Sequence, residues 1–280
     1  MKNEIIYVAK PTGYTERIYP GYTDFYEKFT AQLKQFHEVR ALELPDIWVR
    51  DFLPVQNQKT GALYQLFFNP RYANYTAAFT ARIRQAVQSY FPQALACGVR
   101  IDGGNMVINP TREIAFCFEK PSIFCKSRPS EKENAEREIK RASGVEKIVW
   151  LPRESGDKIG HIDGFMQFLG NELCVSNERD LSGLSLWKKR DKILRASVGE
   201  YIDFPCEAAA KDWLSARGIY VNFLETSQAV FVPQYHLSHD RAVLDIIKRH
   251  TAKPILEVDC SQIAKYGGAV HCLTREYFVN

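Results

Sequence analysis

Five residues of types that carry out covalent chemistry stand out in the sequence. They are Asp51, Asp102, His161, Asp163 and Cys272. A cysteine thiolate is a strong nucleophile, an imidazole transfers protons near neutral pH, and carboxylates bind cations. A cysteine by itself is more often a small buried apolar residue, so a chemical role depends on the other four lying beside it.

The number of carboxylates predicted around the single thiol indicates that the substrate is a cation. Three carboxylates around one thiol raise its pKa and make it a poor nucleophile. A bound guanidinium reverses this, because it is planar, stays charged with a pKa above about 12, and offers N–H donors that match carboxylates. We predict that Asp51 and Asp163 bind its two edges and that the bound cation favours the thiolate of Cys272.

The predicted reaction is a hydrolysis through a covalent intermediate. Cys272 attacks the guanidinium carbon, and His161 protonates the amino group that leaves as ammonia. His161 then takes a proton from the water that hydrolyses the thiouronium adduct, which yields a ureido product. Asp102 either holds the imidazolium or binds an edge of the guanidinium. This scheme needs no metal and no organic cofactor.

The alternation of side chains along extended backbone predicts which groups face the thiol. His161 and Asp163 are two residues apart and are expected to point the same way. By the same rule His271 is not expected to pair with its neighbour Cys272, so His161 is the imidazole predicted beside the thiol. Arg50 is expected to point away from the site.

The elements that must position these residues recur about every 56 residues, which is the signature of a repeat. A strand-like stretch, an apolar helix stripe and a second strand follow one another five times. The stripe of Phe25, Phe29, Leu33 and Phe36, at steps of four, four and three, is an example. A single unit of this size cannot bury its faces, so a ring of five units is predicted, as one domain spanning residues 1–280.

The candidate residues occupy equivalent places in this repeat, just after the strand that follows a helix. Equivalent positions in a ring converge on its axis, which brings the polar side chains together. The fourth unit is predicted to have a long polar segment, a helix near Ala208 to Arg217 and a strand from Ile219 to Leu224. It is expected to contribute no polar group to the site.

The composition is that of a soluble globular protein, with 45% hydrophobic and 25% charged residues and a net charge of +4. Its basic runs are interspersed with acids, and no apolar stretch reaches 18 residues, so neither a nucleic-acid partner nor a membrane partner is predicted. Seven cysteines without framework spacing predict reduced thiols and a cytoplasmic location.

A metal site is the main alternative use of the histidines. A zinc site at His236 and His239 would need Cys260 or His271 as well, because zinc requires three or four convergent ligands. The segment also has the pattern of a turn that precedes a helix. No metal site is therefore predicted.

Four segments resemble motifs of the agmatine deiminase and bacterial peptidyl-arginine deiminase family. They are Trp48 to Pro54 (WVRDFLP), Asp102 to Asn105 (DGGN), Gly160 to Gly164 (GHIDG) and Gly267 to Thr274 (GGAVHCLT). The less specific segments Tyr220 to Phe223 and Val230 to Gln234 also resemble that family.

The resemblance implies a pentein fold, which is a five-bladed α/β propeller of ββαβ units. It also implies a nucleophilic Cys272, a catalytic His161, and Asp51 and Asp163 as guanidinium ligands, in agreement with the reading of the residues. The sequence departs from the family where Asp102 replaces the usual glutamate and Ala269 replaces the last of three glycines.

The expected activity is deimination of a small cationic guanidino substrate, with agmatine first and free or peptidyl arginine second. An amidinotransferase, which passes the amidino group to an amine instead of water, is the enzymatic alternative. A ring of this shape that serves only as a binding module, like the ribosome anti-association factor, is the non-enzymatic alternative. The sequence makes no prediction of the oligomeric state.

Overall fold

The computed structural model describes residues 3–70, 72, 75–120, 122–124, 128–154, 157, 159–170, 173–177, 184–199, 201–206 and 214–279. Within these residues the strands are β1 (Asn3–Ala9), β2 (Glu38–Leu42), β3 (Val55–Gln56), β4 (Leu63–Gln65), β5 (Leu95–Ala96), β6 (Val107–Ile108), β7 (Ile114–Phe118), β8 (Lys147–Leu151), β9 (Met166–Leu169), β10 (Leu173–Asn177), β11 (Tyr201–Phe204), β12 (Leu224–Glu225), β13 (Val230–Gln234), β14 (Ile255–Asp259) and β15 (Arg275–Val279). The helices are α1 (Gly13–Ile18), α2 (Tyr22–Leu33), α3 (Val49–Phe52), α4 (Ala77–Tyr90), α5 (Pro129–Ser143), α6 (Leu184–Val198) and α7 (Asp240–His250).

The described strands form five sheets of three strands, in the orders β15-β1-β2, β3-β4-β5, β6-β7-β8, β9-β10-β11 and β12-β13-β14. In every sheet the first strand pairs antiparallel with the second, and the second pairs parallel with the third. At least one helix lies between the second and third strands in the chain, as a parallel pair requires. The predicted five ββαβ units are confirmed, whereas the single domain over residues 1–280 stays a prediction.

The ring is closed by strands that lie far apart in the sequence. β15 pairs antiparallel with β1, with Ile5 opposite Tyr277. The ring of Tyr277 packs against those of Tyr7 and Phe91, and its hydroxyl donates a hydrogen bond of 2.8 Å to the carbonyl of Pro54. The closing contact is therefore buried, and the Tyr277 hydroxyl within it has a hydrogen-bond partner.

Helix α2 shows how the apolar stripes hold the units together. Its residues Phe25, Phe29 and Leu33 are buried, and the ring of Phe29 meets that of Phe231 in β13 at 6.1 Å. Burying one such side chain contributes about 1.5–3 kcal/mol. Phe36, the last residue of the predicted stripe, lies beyond the end of the helix but packs against the same core.

The fourth unit differs from its prediction. The segment predicted as polar contains α6, and the third strand of the sheet is β11. The predicted strand from Ile219 to Leu224 is wrong, because residues 219–223 form a turn and only Leu224 enters a strand. Of the predicted helix at 208–217, residues 208–213 lie outside the described residues, and 214–217 are not helical.

Each of the described helices is too short or too polar to span a bilayer. The first strands of the five sheets, β15, β3, β6, β9 and β12, all contribute residues to one cavity of 310 Å³. We call them the inner strands and this space the axial cavity, because strands from all five units can meet only around a common axis.

Candidate active site

The predicted site residues all lie in the connections that lead into the inner strands. Asp51 precedes β3, Asp102 precedes β6, His161 and Asp163 precede β9, and Cys272 precedes β15. The connections before β3, β6 and β9 are short helical turns. Because the inner strands surround one axis, these side chains converge, and the structure brings all five into one buried cluster.

His161 forms the centre of one row of the cluster. Its Nδ1 lies 3.3 Å from Oδ1 of Asp51, and its Nε2 lies 3.1 Å from Oδ2 of Asp102. The ring of Tyr72 meets the imidazole edge-on at 5.3 Å, and the Tyr72 hydroxyl donates to Asp51 over 3.4 Å. Asp102 therefore holds the imidazole here, one of the two roles predicted for it.

The glycines after Asp102 allow this close packing. A Cβ on Gly104 would lie 2.6 Å from Oδ1 of Asp51 and 2.7 Å from Nδ1 of His161. The backbone N–H of Gly104 also donates to Asp51 over 3.2 Å. Any larger residue at this position would push the carboxylate and the imidazole apart.

Cys272 lies in a second row, with Asp163 and Asn222. The side-chain amide of Asn222 donates to Sγ over 3.1 Å, and Sγ lies 3.5 Å from Oδ2 of Asp163. The side-chain oxygen of Asn222, Oδ1, accepts hydrogen bonds from the backbone N–H groups of Ala269 and Cys272. Asn222 thus fixes the turn that carries the thiol, and the expectation that the fourth unit contributes no polar group is wrong.

His271 belongs to the cluster through Asp163. Its Nδ1 lies 2.8 Å from Oδ2 of Asp163, the same oxygen that faces Sγ. Residues 270–273 form a turn, so the alternation rule for extended backbone does not apply to His271 and Cys272. His161 makes a hydrogen bond with Asp102 and an ion-pair contact with Asp51, so the prediction that His161 adjoins the thiol is not met by a direct hydrogen bond.

The pKa values follow from burial and from the charges around each group. Burial, and then the charges of Asp163 and Asp51, raise the pKa of the Cys272 thiol well above its usual range. Burial also raises the pKa of Asp51, to about 7, although the charge of His161 opposes it. Burial alone would lower the pKa of His161, but the charge of Asp51 and the hydrogen bond to Asp102 raise it.

Asp163 remains the ionised carboxylate beside the thiol. Burial acts to raise its pKa, but the hydrogen bond from His271 and nearby positive charges lower it. Burial and the charge of Arg50 lower the pKa of His271, so a neutral imidazole donates its Nδ1 proton to this carboxylate. The other oxygen, Oδ1 of Asp163, is buried and has no hydrogen-bond partner among the described residues. An unsatisfied carboxylate oxygen beside a thiol is a place for a cation.

Lys120 supplies a positive charge that the sequence did not predict. Its Nζ donates to Oδ2 of Asp102 over 3.2 Å and to the carbonyl of Ile159 over 2.9 Å, and only 10% of its side chain is exposed. Its charge and that of His161 overcome the effect of burial and lower the pKa of Asp102. Lys120 therefore fixes the carboxylate of Asp102.

Replacing Lys120 by methionine should move the alkaline limb of the activity profile to higher pH. The charge of Lys120 lowers the pKa of His161, so without it the imidazole keeps its proton to higher pH. We expect kcat/KM to fall about tenfold, because Asp102 is no longer restrained. Lys59→Met, which breaks an exposed pair with Glu146, is the control and should leave the pH profile unchanged. An unaltered profile in Lys120→Met would contradict this role.

Arg50 points away from the site, as predicted. Its guanidinium donates two hydrogen bonds, of 3.0 and 2.6 Å, to the carboxylate of Glu276, and its Nε donates to the carbonyl of His271. This pair joins the start of the second unit to β15. The charge of Arg50 outweighs burial and lowers the pKa of Glu276 to about 2.

Arg50→Met should destabilise the fold by about 3 kcal/mol, because it leaves Glu276 without its buried partner. Urea denaturation measures the free energy of unfolding. The double variant Arg50→Met/Glu276→Leu should recover part of the loss. Arg241→Met, which breaks an exposed pair with Asp245, should cost less than about 1 kcal/mol. An equal loss of stability in Arg50→Met and Arg241→Met would show that the buried Arg50–Glu276 pair stabilises the fold no more than an exposed pair does.

The histidines considered for a metal site are separated. His236 Nε2 lies 3.2 Å from Asp259, and His271 bonds Asp163. Within the described ranges, no group of three or more His, Cys, Asp or Glu side chains is arranged to hold a metal ion.

Comparisons with known proteins agree with this architecture. The sequence model described as Porphyromonas-type peptidyl-arginine deiminase matches residues 17–277. A protein of Legionella pneumophila (strain Paris), named provisionally as an agmatine deiminase, is 22% identical over 279 residues, which cover 89% of this chain and 78% of that protein.

Solved structures share the fold at low sequence identity. The agmatine deiminase of C. jejuni has a TM-score of 0.78 at 18% identity, over 99% of this chain and 94% of its own. The DDAH of Pseudomonas aeruginosa has a TM-score of 0.63 at 14% identity, over 99% of this chain and 100% of its own. The predicted pentein-type five-bladed propeller is thereby confirmed.

Proposed function

Since this chain belongs to the Porphyromonas-type peptidyl-arginine deiminase family, we propose that it is a deiminase acting on a guanidino compound. The product is a ureido compound, and ammonia is released. The observation that carries the proposal is the thiol of Cys272 lying 3.5 Å from Asp163, a buried carboxylate whose Oδ1 has no partner in the described part of the chain. A flat cation with N–H donors satisfies that oxygen and lowers the pKa of the thiol at the same time.

In this proposal the guanidinium lies between the two rows of the cluster. Asp163 accepts N–H donors on the side of Cys272, and Asp51 accepts them on the side of His161. Asp51 must be ionised for this, and its pKa of about 7 means that substrate binding weakens as the pH falls below neutrality. Bidentate pairing of this kind fixes the carbon in front of the sulfur.

The first half of the reaction forms the covalent adduct. The thiolate of Cys272 attacks the guanidinium carbon and gives a neutral tetrahedral adduct. His161, kept protonated by Asp51 and Asp102, gives its proton to the departing nitrogen. The carbon–nitrogen bond breaks, ammonia leaves, and a positively charged thiouronium remains on the sulfur.

The second half releases the product. Neutral His161 takes a proton from water, and the hydroxide adds to the thiouronium carbon. The carbon–sulfur bond then breaks with its electron pair on sulfur, which restores the thiolate and the imidazolium. The protonated urea gives up one proton, so the overall products are the ureido compound and ammonium.

Agmatine is the first proposed substrate, because the C. jejuni relative is named as an agmatine deiminase. Arginine, free or within a peptide, is the second, because the family description names peptidyl-arginine. Purified protein is incubated with agmatine, arginine and arginyl peptides, and ammonia and ureido products are measured. Formation of neither product from any of them would sink the proposed hydrolysis, and product formation only with an added amine would favour an amidinotransferase.

Thiol labelling distinguishes the enzyme from a ring that only binds. A cationic haloacetamidine should label Cys272 well before the other six cysteines, and excess agmatine should slow this reaction. Internal controls are provided by the buried free thiols of Cys97, Cys117, Cys174 and Cys260. Uniformly slow labelling would favour the binding module.

The cytoplasmic location belongs to this proposal. It is supported by the free thiols of Cys97, Cys117, Cys174, Cys260 and Cys272, as expected in a reducing compartment. That the protein has no nucleic-acid or membrane partner also stays a prediction. Fractionation of the producing cells, with detection of the chain by antibody, tests the location.

A further inference from the structure

The axial cavity adjoins the active site at His271. It is lined by charged groups that the proposed reaction does not use. It has a volume of 310 Å³ and is bordered by residues of all five inner strands. Arg50 and His271 border it on the side of the active site, where each is the chain neighbour of a cluster residue. A cavity of this size has room for a small organic molecule.

Arg112 differs from the paired arginine of the cavity, Arg50, in the contacts of its guanidinium group. Among the described residues its guanidinium makes no hydrogen bond or ion pair, although it borders the cavity and is only partly exposed. It lies over the ring of Phe278, with Cζ 4.4 Å from the ring centre. A stacked guanidinium keeps its N–H edge free for a planar anion.

The backbone at Arg112 is held in an uncommon conformation. Its φ of +62° is in the left-handed region, which disfavours residues other than glycine, asparagine and aspartate. The side-chain oxygen of Asn109 fixes this turn by accepting the backbone N–H groups of Glu113 and Ile114, at 2.9 and 2.8 Å. A strained backbone held by its surroundings is a reason to look for function at the side chain that it presents.

A second guanidinium in the same cavity has an unused donor. Arg275 is 6% exposed, and no described residue accepts a hydrogen bond from its Nε, although its Nη2 donates to the carbonyl of Arg50. A buried N–H left unsatisfied costs about 1–3 kcal/mol, which a ligand acceptor can recover.

The other charges of the cavity limit the ligand to one negative charge. Arg50 is paired with Glu276, and Lys253 with Glu225 at 2.7 Å. The remaining arginines and carboxylate of the lining are Arg112, Arg275 and Glu4. Three carboxylates in the wall would repel a multiply charged anion such as a phosphate. Apolar side chains of Met106, Val107, Phe168 and Phe278 are also in the lining and can contact a hydrocarbon body.

We propose that the axial cavity is a binding site for a small organic monocarboxylate. The carboxylate pairs with the free edge of Arg112 and reaches Nε of Arg275, and its apolar body packs between the inner strands. The site is separate from the one that binds the guanidino substrate. It nevertheless shares a wall with it, because His271 contacts the cavity and also bonds Asp163.

The test uses 4-fluorobenzoate as the probe, with binding followed by fluorine NMR. The protein is first alkylated at Cys272 with 2-chloroacetamidine, so that the active site is occupied. Saturable binding of 4-fluorobenzoate should persist, whereas neutral 4-fluorobenzamide should bind at least about tenfold more weakly. Loss of binding on alkylation, or equal binding of the amide, would overturn the proposal.

Arg112→Met should weaken binding of the probe by about 10- to 100-fold, and Arg112→Lys by less. Arg82→Met is the matched control, because Arg82 also stacks on an aromatic ring, that of Tyr14, but lies outside the axial cavity. It should bind the probe as the unmodified chain does. Unchanged affinity in Arg112→Met would contradict the assignment.

A measurement on the unsubstituted chain covers the case in which Arg112→Met does not fold. Phenylglyoxal modifies accessible arginines, and the modified positions are read by mass spectrometry. 4-Fluorobenzoate should protect Arg112 and leave the modification of Arg82 unchanged. Equal modification of Arg112 with and without the probe would show that the carboxylate binds elsewhere or not at all.

Discussion

Cys272→Ala should lower kcat/KM for the guanidino substrate by about 10⁴-fold or more. The proposed reaction has no route without the sulfur, because every later step acts on the adduct that sulfur forms, and removal of a nucleophile is among the costliest changes to an enzyme. Affinity for the substrate should be retained, because Asp51 and Asp163, the carboxylates proposed to bind the cation, are unchanged in this variant. Ammonia release measures the first quantity and calorimetry the second.

Cys97→Ala is the matched control for this variant. Cys97 is also a buried free thiol, but it lies in the second unit beside Glu138, away from the cluster. It should keep nearly full activity. If Cys272→Ala retained more than about 1% of the activity, the covalent mechanism would have to be abandoned.

Asp163→Asn should change catalysis and thiol reactivity in opposite directions. We expect kcat/KM to fall by about 10²- to 10³-fold, because a buried charge partner of the guanidinium is lost. The reaction of Cys272 with neutral iodoacetamide should become faster, because the charge of Asp163 is one of the causes that raise the pKa of this thiol. The preference of Cys272 for a cationic reagent should shrink at the same time.

Both rates are measured on the same preparation, with Asp24→Asn as the control. Asp24 forms an exposed pair with Lys28, so this variant loses a carboxylate without affecting the cluster. Its two rates should match those of the unmodified chain. If catalysis and iodoacetamide labelling both slowed in Asp163→Asn, the thiol would not owe its activation to the substrate cation.

The architecture could be predicted from the sequence because it depends on local patterns that repeat. Apolar residues at the spacing of Phe25, Phe29 and Leu33 identify the buried face of a helix without knowledge of what that face packs against. Asp51, Asp102 and His161 recur in the same place in successive units, which was enough to bring them to one axis. The positions of these residues within the repeat therefore predicted most of the site.

The residues missed depend on contacts that no local pattern encodes. Asn222 lies in a turn that was predicted as a strand, in the unit whose helix α6 was not predicted, so its approach to Sγ was not expected. The segment containing it did resemble the family, and this was the available signal. Lys120 reaches Asp102 across 18 residues, and Arg50 reaches Glu276 across 226, which only the tertiary fold determines.

The pairing of β15 with β1 also constrains the order in which the protein can become active. Cys272 stands three residues before β15, in a turn whose position depends on that strand being seated against residues 3–7. Contacts between such distant segments form late, because a long loop must close first. The thiol therefore meets its carboxylates only when the ring is complete, and partly folded chains carry an ordinary cysteine with no affinity for the substrate.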